Sequence, residues 1–233
     1  MSHATRRQLQ SLIGSLIYVH KCVKPARLFV NRLLEVLRLA PPTQSFSLPK
    51  FVFRDIAWFN TFLSQFNGSV KFKNISGTPK IEIFLDSSLK SLGGVWGHLV
   101  YTVQIASLAL PPSCTIVHYE MFNVLLALRL WDAALSGSRP IIYCDNWAVV
   151  CTLQSGRAVD PILLSIARNI WLVCAIKDIE IIVIHILGKS NIVADLLSRW
   201  TGSQADGVRL QALVLDPQWC SVLPEHVYIN QLI

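Results

Sequence analysis

Charge is scarce in this 233-residue chain: Asp, Glu, Lys and Arg make up only 15% of it, against 52% hydrophobic residues and a mean hydropathy of +0.46. So apolar a composition excludes general disorder and leaves enough side-chain volume for one ordinary domain plus a smaller one. It also implies surface meant for a partner or for further sequence. A long apolar run is missing too. Glu180 and His185 interrupt the best stretch before it reaches the roughly eighteen residues that a membrane span needs, and Met1 is followed by polar residues rather than a signal peptide's apolar core. The expectation is a soluble intracellular protein, cytoplasmic or nuclear, with no membrane partner. Six cysteines, Cys22, Cys114, Cys144, Cys151, Cys174 and Cys220, include no C-x-x-C pair and lie mostly in apolar runs. They read as buried free thiols rather than zinc ligands. Internal repeats and low-complexity tracts are absent.

The charge that is present is unevenly placed. Residues 1 to 75 hold eleven Lys and Arg against Glu35 and Asp55, a net +9. Residues 76 to 200 hold nine charges of each sign, and the remaining residues set Arg209 against Asp206, Asp216 and Glu225. A basic segment joined to a neutral one implies that the first holds a polyanion while the second acts on it, the ordinary alternative being a solvated basic face.

Thr5-Arg6-Arg7-Gln8 fits a helix capping box, followed by Leu9, Leu12, Ile13, Leu16 and Ile17 at helical spacing until Pro25. A second helix is expected over 26–39, stopped by Pro41-Pro42, and a third from about Phe51 to Phe66 with Asn67-Gly68 as its exit. Beyond Pro79 the pattern changes to strands: 81–85, then Gly93 to Gly97, then 100–106, which read as an antiparallel meander. Residues 115 to 135 are helical and 141–144 form a short, wholly apolar strand. A helix follows from Asn146 to about Gln154, stopping near Gly156. Asp160-Pro161 supplies an N-cap and an N1 proline for a helix reaching Ile176, which makes Asp160 structural. The last strand is expected over 179–186 and the last helix from Asn191 to about Trp200. The order is βββαβααβα, and residues 201 to 233 show no clear motif.

Four carboxylates stand out against this background. Asp86 ends the first strand, Glu120 lies near the start of the long helix, Asp145 ends the central strand and Asp195 lies in the last helix. Singly, each has an ordinary explanation: Asp145 as a helix cap, Glu120 as a complement to a helix N-terminus, Asp86 and Asp195 as exposed charges. Together, acids at strand end, helix, strand end and helix can converge. Four adjacent acids repel when empty, a repulsion that bound cations relieve. Several carboxylates with few His or Cys favour Mg²⁺ or Mn²⁺, and two such ions can clamp an in-line phosphoryl displacement.

The motifs carry a resemblance. Phe84-Leu85-Asp86-Ser87-Ser88, Tyr119-Glu120 with Leu125, Ala127 and Leu128, and Cys144-Asp145-Asn146 with Ala148-Val149 resemble the ribonuclease H domain of retroelements. The clearest match is His185-Ile186-Leu187-Gly188-Lys189-Ser190-Asn191-Ile192-Val193-Ala194-Asp195-Leu196-Leu197-Ser198-Arg199, similar to that family's closing signature. Leu126-Ala127-Leu128-Arg129-Leu130-Trp131 with the Asp160-Pro161 segment looks most like DIRS-type retrotransposons. Residues 5 to 68, notably Gln8 to Gly14 and Trp58 to Gly68, resemble the thumb or connection that precedes ribonuclease H in their reverse transcriptases.

The resemblance implies an α/β fold with a mixed five-stranded sheet flanked by helices, preceded by a small helical segment. It divides the chain into a basic helical segment (1–75), a ribonuclease H-like domain (79–200) and a tail or linker (201–233). It implies an endonuclease in which Asp86, Glu120, Asp145 and Asp195 bind two Mg²⁺, with Mn²⁺ an alternative, and hydrolyse the RNA strand of an RNA:DNA hybrid. His185 would assist proton transfer or product release; Ser87, Asn146 and Lys189 would contact substrate. No Tyr-x-Asp-Asp polymerase motif occurs, so the expected partners are the missing polymerase subdomains of a longer polyprotein. The tail also lacks the spaced Arg and His-x-x-Arg with Tyr of the recombinase that follows in such elements, and no basic insertion follows Asp145. Two rival readings are a catalytically inactive binding or assembly module and an integrase- or transposase-like nuclease. All four acids are present, which disfavours the first, and the helix-borne Glu120 between the first two Asp disfavours the second.

Overall fold

A computed structural model describes residues 3–22, 26–65 and 80–227. The chain separates into two units, Met1–Asn74 with Asn230–Ile233, and Ile75–Ile229. Among the described residues no helix is long and apolar enough to cross a membrane.

The first unit begins with strand β1 (His3–Ala4) and helix α1 (Arg6–Cys22), continues with α2 (Ala26–Leu39) and strand β2 (Phe46–Ser47), which pairs antiparallel with β1, and ends in α3 (Lys50–Gln65). The capping box forms as its sequence dictates. The Thr5 backbone N–H donates to Gln8 Oε1 at 2.9 Å and the Gln8 N–H donates to Thr5 Oγ1 at 3.3 Å, satisfying two donors that the first helical turn leaves open. Leu9, Ile13, Leu16, Leu33, Val36, Val52 and Trp58 are buried. One of the basic residues is internal to this packing: Arg32 donates to both carboxylate oxygens of the fully buried Asp55, at 3.0 and 3.2 Å, and lies over the Phe51 ring. The exit expected at Asn67-Gly68 and the stop at Pro25 lie outside the described residues.

The second unit carries a mixed sheet. Strands β3 (Glu82–Ser87), β4 (Ser91–Trp96) and β5 (Leu99–Gln104) form the antiparallel meander, followed by α4 (Ile116–Leu130), the short α5 (Asp132–Leu135) and β6 (Ile141–Cys144). Then come α6 (Trp147–Ser155), α7 (Pro161–Ile176), β7 (Ile182–His185) and α8 (Ile192–Ser198). β6 pairs parallel with β3, and β7 parallel with β6. The expected order is present, with the long helix broken after Leu130. This is an α/β fold, a multi-stranded mixed sheet flanked by helices. Its centre is α4, buried on every side from Glu120 to Leu128 because it packs on β3 and β4 below and on α6 and α7 beside it.

Residues 204–227 depart from the expectation of a tail. Helix α9 (Gln204–Leu213) buries Leu210, and with Val214 it joins a core of Val95, Val100, Leu196 and Leu197. Strand β8 (Gln218–Trp219) pairs parallel with β5, making the sheet six-stranded in the order β7-β6-β3-β4-β5-β8, and the described chain closes with α10 (Pro224–Val227). A two-residue strand leaves no periodicity in the sequence. Trp219 meets Trp200 there with the rings tilted at 60° and their centroids 4.9 Å apart, a contact that only the folded chain brings together.

The position of α8 depends on a missing side chain. A Cβ on Gly93 in β4 would lie 2.4 Å from the Ser198 backbone nitrogen and 2.6 Å from the Leu197 carbonyl carbon, so the helix rests directly on the strand. Its C-terminal carbonyls are satisfied by hydroxyls of the meander: Ser88 and Ser91 donate to the Ser198 oxygen at 2.7 and 2.6 Å, and Thr102 donates to the Leu197 oxygen at 2.9 Å. At its other end the Asn191 amide donates to the Leu85 carbonyl at 2.8 Å. Gly93→Ala should therefore push α8 off the sheet and destabilise the protein by about 1–3 kcal/mol in denaturant unfolding. Gly207→Ala, within α9 where a Cβ meets nothing, should stabilise by about 0.5–1 kcal/mol. Equal effects of the two would contradict the close approach at Gly93.

Candidate metal centre and cleft

Asp86, Glu120, Asp145 and Asp195 line one open cleft of about 510 Å³, together with Ser87, Ile116, Asn146, Gly188, Lys189 and Arg199. Each acid arrives on a different element. Asp86 is at the end of β3, opposite Gly93 in the ladder, where the absent side chain lets Ser198 of α8 reach across and donate its hydroxyl to Oδ2. On α4, one turn beyond the N-terminus, Glu120 accepts the Ser87 backbone N–H on Oε1 at 2.9 Å. Asp145 follows β6, whose ladder with β3 stops at Phe84–Tyr143, two residues short of both Asp86 and Asp145. Asp195 is half-exposed on α8 and accepts Arg199 Nε at 2.6 Å.

Local structure removes two of the ordinary explanations for these acids. The helix after β6 is capped by Asn146, whose side-chain oxygen accepts the N–H groups of Ala148 and Val149, so Asp145 is not needed as a cap. Glu120 lies beyond the first turn of α4, where Thr115 and His118 already form a capping box. Asp160 caps α7, accepting from Ile162 and Leu163, and its Oδ1 also meets His118 Nε2 at 3.0 Å.

Burial and mutual repulsion set the electrostatics. The Glu120 carboxyl, 2% exposed, is pushed up to about 8 by burial first and then by the negative charges of Asp86 and Asp145. Burial raises Asp86 to about 6, partly countered by the Ser198 hydroxyl and reinforced by Asp145 and Asp195. Asp145 is also raised, chiefly by burial, with its own backbone N–H and then His185 acting in the opposite direction. A set of oxygen donors that resist ionising together is what a bound cation would relieve. One ligand atom from each of Glu120, Cys144 and Asp145 lies within 4.8 Å of the others, and the Ser87 hydroxyl beside them is buried without a hydrogen-bond partner. The residues present therefore fit a divalent cation.

His185 is not part of the cleft wall. It ends β7 opposite Cys144, and its Nε2 is 3.0 Å from the Asp145 carbonyl oxygen. A carbonyl only accepts, so this contact puts the ring proton on Nε2 and leaves Nδ1 as an acceptor. Asn146, Ser87 and Lys189 do line the cleft, Asn146 with its side-chain oxygen already committed to capping α6. Four further residues of the site had no role assigned from sequence. Ser198 and Arg199 were visible only as a motif, and the buried Cys144 thiol meets Glu120 Oε2 at 3.5 Å. Trp147 is 63% exposed, with its ring edge-to-face with His185. An exposed Trp after an Asp-Asn pair was the available signal for the last of these.

No protein-family model matches the chain, and no curated protein matches it significantly. Among solved structures it is similar to the crystal structure of RNase H1 from the halophilic archaeon Halobacterium salinarum NRC-1, at 17% identity and a TM-score of 0.39, over 51% of this chain and 94% of that one. Strand order and register carry the fold assignment independently of that likeness.

The raised carboxyls make stability depend on pH. In the unfolded chain Asp86 and Glu120 titrate near 3.8 and 4.5, and in the folded protein near 6 and 8, so the folded state binds more protons between these limits. Their contribution is fully present below about pH 4 and is lost as pH rises through 6 and then 8. Metal-free protein should therefore unfold more easily at pH 8 than at pH 5 by this contribution, and Glu120→Gln should flatten the upper part of the profile. Thermal melts of wild type and variant across that range test this; parallel profiles would contradict the assignment.

Proposed function

We propose that the chain is the ribonuclease H part of a DIRS-type retrotransposon reverse transcriptase, a nuclease that hydrolyses the RNA strand of an RNA:DNA hybrid with two Mg²⁺. The observation that carries this reading is the convergence of Asp86, Glu120, Asp145 and Asp195, from β3, α4, the end of β6 and α8, on one cleft. The motifs around these acids and a mixed sheet that joins an antiparallel meander to parallel strands support it.

In this reading the four carboxylates hold the cations. When bound, two Mg²⁺ supply Lewis-acid stabilisation of the phosphoryl oxygens and lower the pKa of a coordinated water. Asp86 and Glu120 would serve as ligands in their ionised form. Ser198 orients the Asp86 carboxylate through its hydroxyl, and the Ser87 N–H fixes Glu120 Oε1, so both present oxygens in one arrangement. Lys189 and Arg199 offset the negative field of the acids and provide cationic contacts for backbone phosphates. His185, held by the Asp145 carbonyl, offers Nδ1 as a proton acceptor close to the cleft. Selectivity for hybrid comes from minor-groove shape and 2′-hydroxyls rather than base reading. The products are a 5′-phosphate and a 3′-hydroxyl.

Cleavage of an end-labelled RNA:DNA hybrid should require Mg²⁺ or Mn²⁺, spare the DNA strand and duplex DNA, and fall at least about 100-fold in Asp145→Asn and Asp195→Asn, the scale of several kcal/mol of lost transition-state stabilisation. Activity equal to wild type in both variants would sink the site. Well-folded protein without cleavage under any divalent cation would favour the inactive binding module.

The basic segment is assigned to substrate grip. Arg7, Arg38, Lys50 and Arg54 are exposed, whereas Arg32 is committed to Asp55. Replacing these four by Gln should weaken hybrid binding and flatten its salt dependence, each phosphate contact contributing a slope of about 0.9 in log K against log salt. An unchanged slope in filter-binding titrations would remove residues 1 to 75 from the interface.

A further inference from the structure

A thiol lies where carboxylates would serve a hard cation. Cys144 ends β6 fully buried, and its Sγ faces Glu120 Oε2 at 3.5 Å while receiving the Asn146 backbone N–H at 3.4 Å. That N–H points its positive end at the sulfur, against burial and then the Glu120 charge, which hold the thiol well above its usual range. Ligand atoms of Glu120, Cys144 and Asp145 lie within 4.8 Å of one another, a spacing that small side-chain rotations convert into common coordination. A second feature points to a ligand at the same place. Ser87, only 8% exposed, lines the cleft with Glu120, and its buried hydroxyl has no hydrogen-bond partner.

We propose that Glu120, Cys144 and Asp145 form a mixed thiolate–carboxylate site for a thiophilic divalent cation of the Zn²⁺ or Cd²⁺ class. Binding replaces the S–H bond of Cys144 by a metal–sulfur bond, and the proton leaves to solvent. Ions of this class accept sulfur and oxygen donors together in four-coordinate geometry, with Ser87 Oγ or water completing the set. Mg²⁺ takes oxygen donors and prefers to keep its water, so it gains nothing from the thiol. Two ion classes then compete for the same two carboxylates. A thiophilic ion withdraws Glu120 and Asp145 from the Mg²⁺ set and stops turnover. Binding at the thiol stands on its own; the inhibition rests on the nuclease reading above.

The test uses the full chain, metal-free, titrated with CdCl₂ while the sulfur-to-cadmium charge-transfer absorption is followed in the ultraviolet. Wild type should bind one equivalent with a band that Cys144→Ser lacks. Glu120→Gln, which keeps the thiol, should need at least tenfold more Cd²⁺ for the same band. The partly exposed Cys114, Cys151 and Cys220 make the difference between wild type and C144S the decisive quantity. An unchanged band in C144S, or no band in wild type whose circular dichroism is native, would overturn the site. In parallel, hybrid cleavage with Mg²⁺ should fall in proportion to the band as Cd²⁺ is added. Cleavage that persists when the band has saturated overturns the competition. Absence of cleavage before Cd²⁺ is added counts against the nuclease reading alone, because the band remains a direct readout of the thiolate site.

Discussion

The close approach of α8 to β4 is the contact on which the rest of the site depends. A strand residue without a side chain, Gly93, lets the helix backbone lie against the sheet, and Ser88, Ser91 and Thr102 then satisfy its last carbonyls. Asn191 pins the other end to β3. With both ends held, Ser198 is within reach of Asp86, and Asp195, three residues earlier on the same helix, lines the same cleft. Beneath the strands the architecture repeats the device with a side chain: Asn123 of α4 donates to the carbonyls of Asp86 and Gly93 at 2.8 and 2.9 Å and accepts the Tyr101 hydroxyl. The pair of residues opposite each other in the β3–β4 ladder is therefore clamped from both faces of the sheet.

A clamp of that kind is needed because what it holds is unfavourable. Buried carboxylates with like-charged neighbours resist ionisation, and burial first, then mutual repulsion, holds Asp86 and Glu120 above their usual range in the metal-free chain. Arg199, which also lines the cleft, relieves part of it at Asp86. A structure that gathers acids beyond the ends of two paired strands, supports them with buried amide and hydroxyl groups and leaves the Ser87 hydroxyl without a partner departs from ordinary packing in a concentrated way.

Much of the architecture was legible in the chain because it is encoded locally. The Thr5–Gln8 box, the Asp160-Pro161 start of α7 and the stop of α6 at Gly156, where φ is 64°, are short-range signals whose physics needs no neighbours. The order of strands and helices followed from alternation and helical spacing, and the acids were conspicuous because so few charges surround them. Less visible were groups that act across distance. Ser198 reaches Asp86 from 112 positions away, and Thr102 holds the end of α8 from 95. Residues 204–227 carry no periodic signal and still complete the core and the sheet edge, since Leu210, Val214 and Trp219 acquire partners only when α8 and β5 are in place.

The amino-acid order alone determined which segments become helix or strand and which acids stand at their ends, since propensity, capping and alternation act over a few residues. Tertiary structure decided what those acids can do. It hid Glu120 and Asp86 from water while leaving Asp195 half-exposed, set His185 behind Asp145 rather than in the cleft wall, and brought the Cys144 thiol against Glu120. Ionisation is set by neighbours within a few ångströms, and Asp86, Glu120, Asp145 and Asp195 lie tens of residues apart in the chain.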